Sequence, residues 1–588
     1  MLPVSLDELR TKYQAERDRR IRPDGSAQYR DVAGEFGFYA DDPHADPDLT
    51  REPLHDTVDV VVIGGGLGGL LAGARLRQAG VSSIRVVEKG GDFGGTWYWN
   101  RYPGIHCDIE SYVYMPLLDE LGYVPEWKYA PGEEIRRHAR AIGEHFDLYR
   151  DACFQTAVTE LRWDSDAAEW IVSTDRGDRM RARYVVMSNG TLDRPKLPGI
   201  PGIDTFRGHT FHTSRWDYGY TGGDANGNLA GLAGKRIALI GTGATAIQVV
   251  PHLGRDARHL YVFQRTPSTV DYRANRPTDA EWAATLRQGW QRGRMENFLG
   301  LVSGEQVDED LVRDAWTGSA RLLRKITAGG DSLTSEERER VEELLDFEKM
   351  NEIRARVDSI VEDQETAELL KPWYRYACKR PTFSDEYLQT FNRPNVTLVD
   401  TADFGGVERV TENALVVGDR EYEVDCIIFA TGFQVAMSDM MTGRLPVFGR
   451  DGKHLLQHWS RGPRTLHGFY SDGFPNLLTM GALQNAASVN YAHILDEQAT
   501  HIAAVVAEAG KRGARWVEPS AEAVDAWAAA LGENAEELYR FHLECTPGYY
   551  NNEGKPHPRR GFAKGATAFH ALLRDWRENG MDDVLVMR

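Results

Sequence analysis

At 588 residues the chain is too long for one ordinary hydrophobic core, so two or more packed units are expected. A hydrophobic fraction of 41% and a charged fraction of 27% are those of a globular protein, and a formal net charge of −19 argues against nucleic acid or an anionic membrane as partner. The five cysteines (Cys107, Cys153, Cys378, Cys426, Cys545) are scattered, odd in number and form no C-x-x-C pair, so neither a disulfide framework nor a zinc or other metal site is expected. There is no run of about 18 apolar residues and no apolar h-region at the start, so a cytoplasmic protein without a membrane partner is expected.

In chain order, residues 1–55 are rich in charge, with "DDPHADPD" at 41–48, and read as a short helix near 5–20 followed by an extended linker, with the sequence leaving open whether the segment is disordered or wraps the body. "VDVVVIGGGLGGLLAGARLRQAG" then gives an apolar strand, a glycine turn and an alanine-rich helix, and "IRVVEKGG" gives the next strand. This is the βαβ pattern of a parallel, doubly wound sheet. "FQTAVTELRWDSDAAEWIVSTDRGDRMRARYVVMSNG" alternates apolar and polar residues, which predicts short antiparallel strands closing on a buried one. A second βαβ copy opens at 235 with "KRIALIGTGATAIQVVPHLG" and continues in "HLYVFQRTP". Residues 278–370 are strongly helical, with a capping box from Thr334 to Glu337. From 396 the chain returns to strands in "VTLVD", "ALVVGD" and "DCIIFATGF", and 491–588 reads as helix with an irregular tail. The fold class expected is α/β: two Rossmann-like dinucleotide-binding units, a helical insertion and an N-terminal extension.

Gly64, Gly66 and Gly69 form G-x-G-x-x-G directly between a strand and a helix. The first permits the turn, the second lets backbone approach a pyrophosphate, and the third lets the helix pack close to the sheet. Glu88 ends the next strand, where an acid takes ribose hydroxyls. "GGTWYWNRYPGIHCD" (94–108) comes next; Gly94 and Gly95 allow close approach of a bulky ligand, and Thr96, Trp97, Tyr98 and Trp99 suit an isoalloxazine ring, which points to FAD. Consecutive aromatics on one strand could not all point inward, which weakens the reading of these rings as core. The second fingerprint is Gly241, Gly243 and Ala246, and Arg265 stands at the end of its next strand, where a guanidinium fork suits a 2′-phosphate. That points to NADPH. With no redox cysteine pair, a disulfide reductase is excluded.

Between the fingerprints stands F-x-G-x-x-x-H-x-x-x-W-D: Phe206, Gly208, His212, Trp216 and Asp217. With this block, residues 56–550 resemble the type I Baeyer–Villiger monooxygenases, and Trp216 separates them from the flavin-dependent N- and S-oxygenases, which remain the alternative. The resemblance implies that NADPH, FAD and O2 together insert one oxygen atom beside a ketone carbonyl, giving an ester or lactone. It implies a FAD-binding domain in two parts (56–205 and 396–545), a linker and NADP-binding domain over 206–395 with the insertion at 278–370, and a tail at 546–588. It puts the motif on the linker, coupling nicotinamide binding to domain movement. The residues leave open whether His212 is packed structurally or catalytic; the resemblance implies that it orients the linker.

Negative charge develops on oxygen twice in this chemistry, and an arginine stays protonated throughout. The resemblance gives that role to Arg380, held over the flavin by Asp108, and sends Lys379 with Arg265 to the 2′-phosphate. It adds Gly95, Thr96, Trp97, Tyr114 and Val158 to the FAD contacts, and Thr242, Gly243, Ala244, Thr245, Ala246, Gln248 and Thr266 to the NADP contacts. Thr431 and Gly432, in "FATGF", mark the return to the first domain. Ser188-Asn189-Gly190 replaces the usual Ala-Thr-Gly at the first crossover, Ala246 replaces a frequent Gly, and His106 stands where many members have Arg. The N-terminal extension and the tail "CTPGYYNNEGKPHPRRGF" are similar to a subgroup acting on large cyclic or polycyclic ketones. That subgroup includes cyclopentadecanone monooxygenase and lactone-forming enzymes of pentalenolactone-type biosynthesis. Small residues in "TMGALQNAASVNY" (479–491), namely Gly481, Ala482, Ala486, Ala487 and Ser488, would leave room for such a substrate.

Overall fold

A computed structural model describes residues 5–320, 334–434, 444–532, 535–556 and 561–587. Two sheets carry the molecule. In the first, the strand Thr57–Ile63 lies between Ile84–Val87 and Arg179–Met187, parallel to both. Glu169–Thr174 and Val158–Asp164 then continue antiparallel, as the alternation predicts, and Leu477–Thr479 adds parallel to Arg179–Met187. Val60, Val61 and Val62 are fully buried because both faces of this strand are covered.

The second sheet has five strands, all parallel, in the order Val396–Asp400, His259–Gln264, Arg236–Ile240, Cys426–Phe429, His209–His212. This corrects the boundary set at 395/396: Val396–Asp400 and Cys426–Phe429 belong to the sheet of the second fingerprint. Their apolar runs fit a buried parallel strand of either sheet, and only long-range pairing assigns them. The F-x-G block is likewise more than a linker, since His209–His212 is the edge strand of this sheet.

In each sheet the fingerprint turn closes on the crossover strand beside it. A Cβ on Gly64 would sit 2.6 Å from the Ser188 carbonyl oxygen, and one on Gly241 would sit 2.5 Å from that of Ala430. The two crossovers noted in the sequence therefore occupy matching places.

The N-terminal extension is ordered on the body. Helix Leu6–Asp18 starts at a capping box from Ser5 to Glu8 and buries Leu9 and Tyr13 against Phe347 of helix Ser335–Ile360. The segment beyond this helix is not an extended linker. Two 3₁₀ turns, Gly25–Gln28 and Gly34–Ala40, flank the strand Tyr29–Arg30, which pairs with Leu197–Pro198, and Val32, Phe36 and Tyr39 enter the core under the second sheet. The helical insertion contains Ala280–Thr285, Trp290–Val302, Ser335–Ile360 and Gln364–Leu370, with the expected Thr334–Glu337 capping box; its residues 321–333 lie outside the described residues, as do 557–560 of the tail.

One expectation fails outright. Cys378 and Cys545 form a disulfide across 167 residues, tying the start of the tail to the segment that carries Lys379 and Arg380. Count and spacing carry no information about a pair brought together only by the fold. Among the described residues no helix is long and apolar enough to cross a membrane.

Candidate active site

One cavity of about 920 Å³ is lined by the second fingerprint turn, Gly241–Thr245, and by Thr96, Trp97 and Tyr114 of the first unit. Helix Leu67–Gln78 points its N-terminus from the first sheet and helix Ala244–Asp256 from the second. Neither has a side-chain cap: Gly66 and Gly243 stand at the N-cap positions, so the first-turn N–H groups keep no side-chain acceptor. Such ends favour a diphosphate. A Cβ on Gly243 would meet nothing within 4 Å, whereas one on Gly95 would come within 2.6 Å of Gly66 Cα. The first turn thus leaves a slot admitting only backbone, and the second opens into free space. Thr266, whose hydroxyl is buried without a partner, lines the cavity beside the second turn. These features fit two dinucleotides.

Of the residues assigned to cofactors, Thr96, Trp97, Asp108, Tyr114, Thr242, Gly243, Ala244, Thr245, Gln248, Arg265, Thr266 and Lys379 line the cavity, as does Arg380. Gly64, Gly66, Gly69, Gly95 and Ala246 shape the turns without lining it. Glu88 accepts the N–H groups of Gly65 (2.5 Å) and Gly90 (2.6 Å), so its carboxylate braces the glycine loop. Val158 opens a strand packed on the core beneath the first sheet and does not line this cavity. The aromatic run corrects the strand argument. Thr96–Trp99 is one turn of helix, and Tyr98 and Trp99 are buried behind it, Tyr98 donating to Asp42 at 2.7 Å and Trp99 lying under Arg215 at 4.1 Å. Only Thr96 and Trp97 face the cavity, with Trp97 Nε1 donating to the Tyr114 hydroxyl at 3.0 Å.

Asp108 and Arg380, 272 residues apart, form a two-pronged ion pair, Nε to Oδ2 and Nη2 to Oδ1, both at 2.8 Å. Trp316 holds the same turn from behind, its Nε1 donating to the Asp108 carbonyl at 2.8 Å and its ring lying 5.3 Å from the guanidinium. Burial works against the charge of Arg380, but the pull and hydrogen bonds of Asp108 more than offset it, and the pKa is raised. Tyr549 and Tyr550 of the tail line the cavity close to it.

Arg265 projects into the cavity, its two Nη groups donating to Gln28 (2.7 Å) and Glu553 (2.8 Å). Burial, then the nearby Arg265, pull Lys379 down to about 7. His106 also lines the cavity; burial pulls it down to about 4, so it is neutral at pH 7, and its Nδ1 lies 2.9 Å from the Gly104 carbonyl.

None of the five motif residues lines the cavity. His212 is fully buried, paired through Nδ1 with the Ser214 hydroxyl at 2.8 Å, and burial pulls it down to about 3, which makes it a neutral packing residue in this state. Gly208 is required because a Cβ there would come within 2.5 Å of the Phe206 ring and 2.7 Å of the Asp425 carbonyl. Trp216 Nε1 donates to Thr221 at 3.1 Å, and Asp217 caps the turn Tyr218–Thr221 while pairing with His209 at 2.8 Å. Of 479–491, only Val489 and Tyr491 line the cavity; Gly481, Ala482, Ala486, Ala487 and Ser488 do not, so their smallness does not enlarge it.

Residues 62–121 match the family profile of an NAD(P)-binding Rossmann-like domain. A Baeyer–Villiger monooxygenase of Streptomyces coelicolor is 60% identical, covering 100% of this chain and 98% of that protein. The chain belongs to the Baeyer–Villiger monooxygenases. Neopentalenolactone D synthase of Streptomyces avermitilis is 51% identical to this monooxygenase, over 98% of each chain. The solved structure of a polycyclic ketone monooxygenase from Thermothelomyces thermophila superposes with a TM-score of 0.91 at 39% identity, over 98% of each chain.

Sequence reasoning about this monooxygenase missed Tyr29, Lys196, Arg273, Tyr549, Tyr550 and Glu553, all of which line the cavity. Both ends of the chain reach the site, and neither end carries a local motif. The one available signal was the aromatic pair in "CTPGYYNNEG", which is too polar on either side to be core.

Proposed function

We propose that this monooxygenase converts a large cyclic or polycyclic ketone to its lactone with NADPH and O2, using Arg380 to stabilise negative charge on oxygen. The carrying observation is the Asp108–Arg380 pair opening onto a cavity that the uncapped helix end at Gly243 lines together with Thr96, Trp97 and Tyr114 of the first unit. Bound FAD would supply the redox chemistry, passing electrons from NADPH to O2, so that one atom of O2 enters the product and the other leaves as water. The chain's own residues do the rest. Helix ends at Gly66 and Gly243 hold the two diphosphates. Arg265 and Lys379 hold the 2′-phosphate, and Thr96, Trp97 and Tyr114 bound the ring end of the first site. Arg380 provides the fixed cation, which works best when its orientation is set before reaction; Asp108 and Trp316 set that orientation. His212 orders the edge strand and donates no proton.

A polycyclic substrate is supported by the relatives named for a polycyclic ketone and for neopentalenolactone D. A cytoplasmic location is supported by the dependence on NADPH, an intracellular reductant. Purified protein given FAD, NADPH and a panel of macrocyclic, polycyclic and terpenoid ketones should yield esters or lactones heavier by one oxygen. Oxygen transfer to amines or sulfides with none to any ketone would overturn the reading.

A further inference from the structure

Glu553 comes from the tail, yet its carboxylate sits in the middle of the cations around the second dinucleotide turn. It is 3% exposed. It accepts from Arg265 Nη2 at 2.8 Å and from the Tyr29 hydroxyl at 2.9 Å, and it lies 3.4 Å from Lys196 Nζ. The tail also covers Lys379, which donates to the Pro547 carbonyl at 2.7 Å, and a Cβ on Gly548 would come within 2.9 Å of Lys379 Nζ. An acid thus takes up the donors that an incoming phosphate would need.

We propose that Glu553 stands in the place of the coenzyme 2′-phosphate and that NADPH binds by exchanging that phosphate for the carboxylate, so that Glu553 sets how strongly NADPH is preferred over NADH. This rests on the reading of Arg265 and Lys379 as the 2′-phosphate contact. The phosphate carries more charge than the carboxylate and offers three acceptor oxygens, so it outcompetes it for the same cations. The two anions repel each other, so they do not share the site. A coenzyme with a free 2′-hydroxyl brings no anion to this position, leaves the carboxylate in place and can donate to Glu553. The backbone is built for release: Asn552 (φ 50°) and Glu553 (φ 57°) are both held left-handed, which costs a non-glycine residue, and the disulfide at Cys545 keeps the base of the segment in place while its tip moves.

The test is the dissociation constant of NADP⁺ and of NAD⁺ for the FAD-loaded wild type, E553Q and R265A, by calorimetry. E553Q should tighten NADP⁺ on the order of tenfold relative to NAD⁺. Weaker NADP⁺ binding in E553Q, or equal shifts for both coenzymes, overturns the proposal. R265A separates it from its premise: a loss confined to NADP⁺ upholds the 2′-phosphate reading, and equal losses for both coenzymes sink that reading itself. Should E553Q not fold, hydrogen exchange on the wild type decides. Residues 546–555 should exchange faster with saturating NADP⁺ than with saturating NAD⁺, and protection by NADP⁺ would overturn the exchange.

Discussion

Replacing Asp108 by Asn keeps the shape of the side chain and removes its charge. In the wild type the carboxylate accepts two charge-assisted hydrogen bonds from Arg380, each 2.8 Å. The Asp108 and Arg380 side chains are 20% and 31% exposed, so water screens the pair in part. A hydrogen bond to a charged group contributes about 1.5–3 kcal/mol, and with screening that range serves for the pair as a whole. The guanidinium then leaves its reactive orientation for part of the time, and oxygen transfer should fall by about ten- to a hundredfold. NADPH binding should change little, because the side chains of Arg265 and Lys379 bond to Gln28, Glu553 and Pro547 and not to Asp108. The assay is the ratio of ester formed to NADPH consumed, with flavin reduction followed separately by stopped flow. D108N should still reduce flavin and consume NADPH while the ratio collapses. A wild-type ratio in D108N would refute the positioning role of Asp108.

Lys379, pulled down to about 7 by burial and by Arg265, faces Arg265, Arg20, Lys196 and Glu553. Its charge is present below that pKa and lost above it, so NADP⁺ affinity should fall between about pH 7 and 9, by at most tenfold per unit, with NAD⁺ affinity flat; a flat NADP⁺ profile would refute the contact. In Gly95→Ala the new Cβ would come within 2.6 Å of Gly66 Cα at a residue with φ 55°, so the purified protein should be largely colourless, and a full complement of FAD would contradict the slot. The Cys378–Cys545 disulfide closes a loop of 167 residues, and its loss in Cys545→Ser should cost about 2–4 kcal/mol of stability. Reductant should lower the melting temperature of the wild type and leave that of Cys545→Ser unmoved; a wild type indifferent to reductant would contradict the bond.

The features legible in the sequence are those coded locally. The turns at Gly64 and Gly241 are set by glycines within a few residues of their strands, and the Thr334–Glu337 box by two residues three apart. The pairing of Asp108 with Arg380 is not coded by any spacing and came only through the family resemblance. The disulfide was missed for the same reason, since Cys378 and Cys545 meet only because the tail folds back over the second unit. The sheet that Val396–Asp400 joins is not legible locally, because a buried parallel strand reads alike wherever it pairs. Tyr98 and Trp99 look like a ligand surface only if they stand on a strand; one helical turn buries them. Glu553 was invisible because nothing in "YYNNEG" announces an acid that ends among cations.

The central claim is that Arg380 is the cation on which oxygen insertion depends. The direct measurement compares wild type and Arg380→Ala, both loaded with FAD, given NADPH and a polycyclic ketone under isotopically labelled O2, with products read by mass spectrometry. The account predicts one labelled oxygen in the lactone from the wild type, and from Arg380→Ala an enzyme that stays yellow and is reduced by NADPH but yields no labelled lactone. Labelled lactone at the wild-type rate from Arg380→Ala would contradict it.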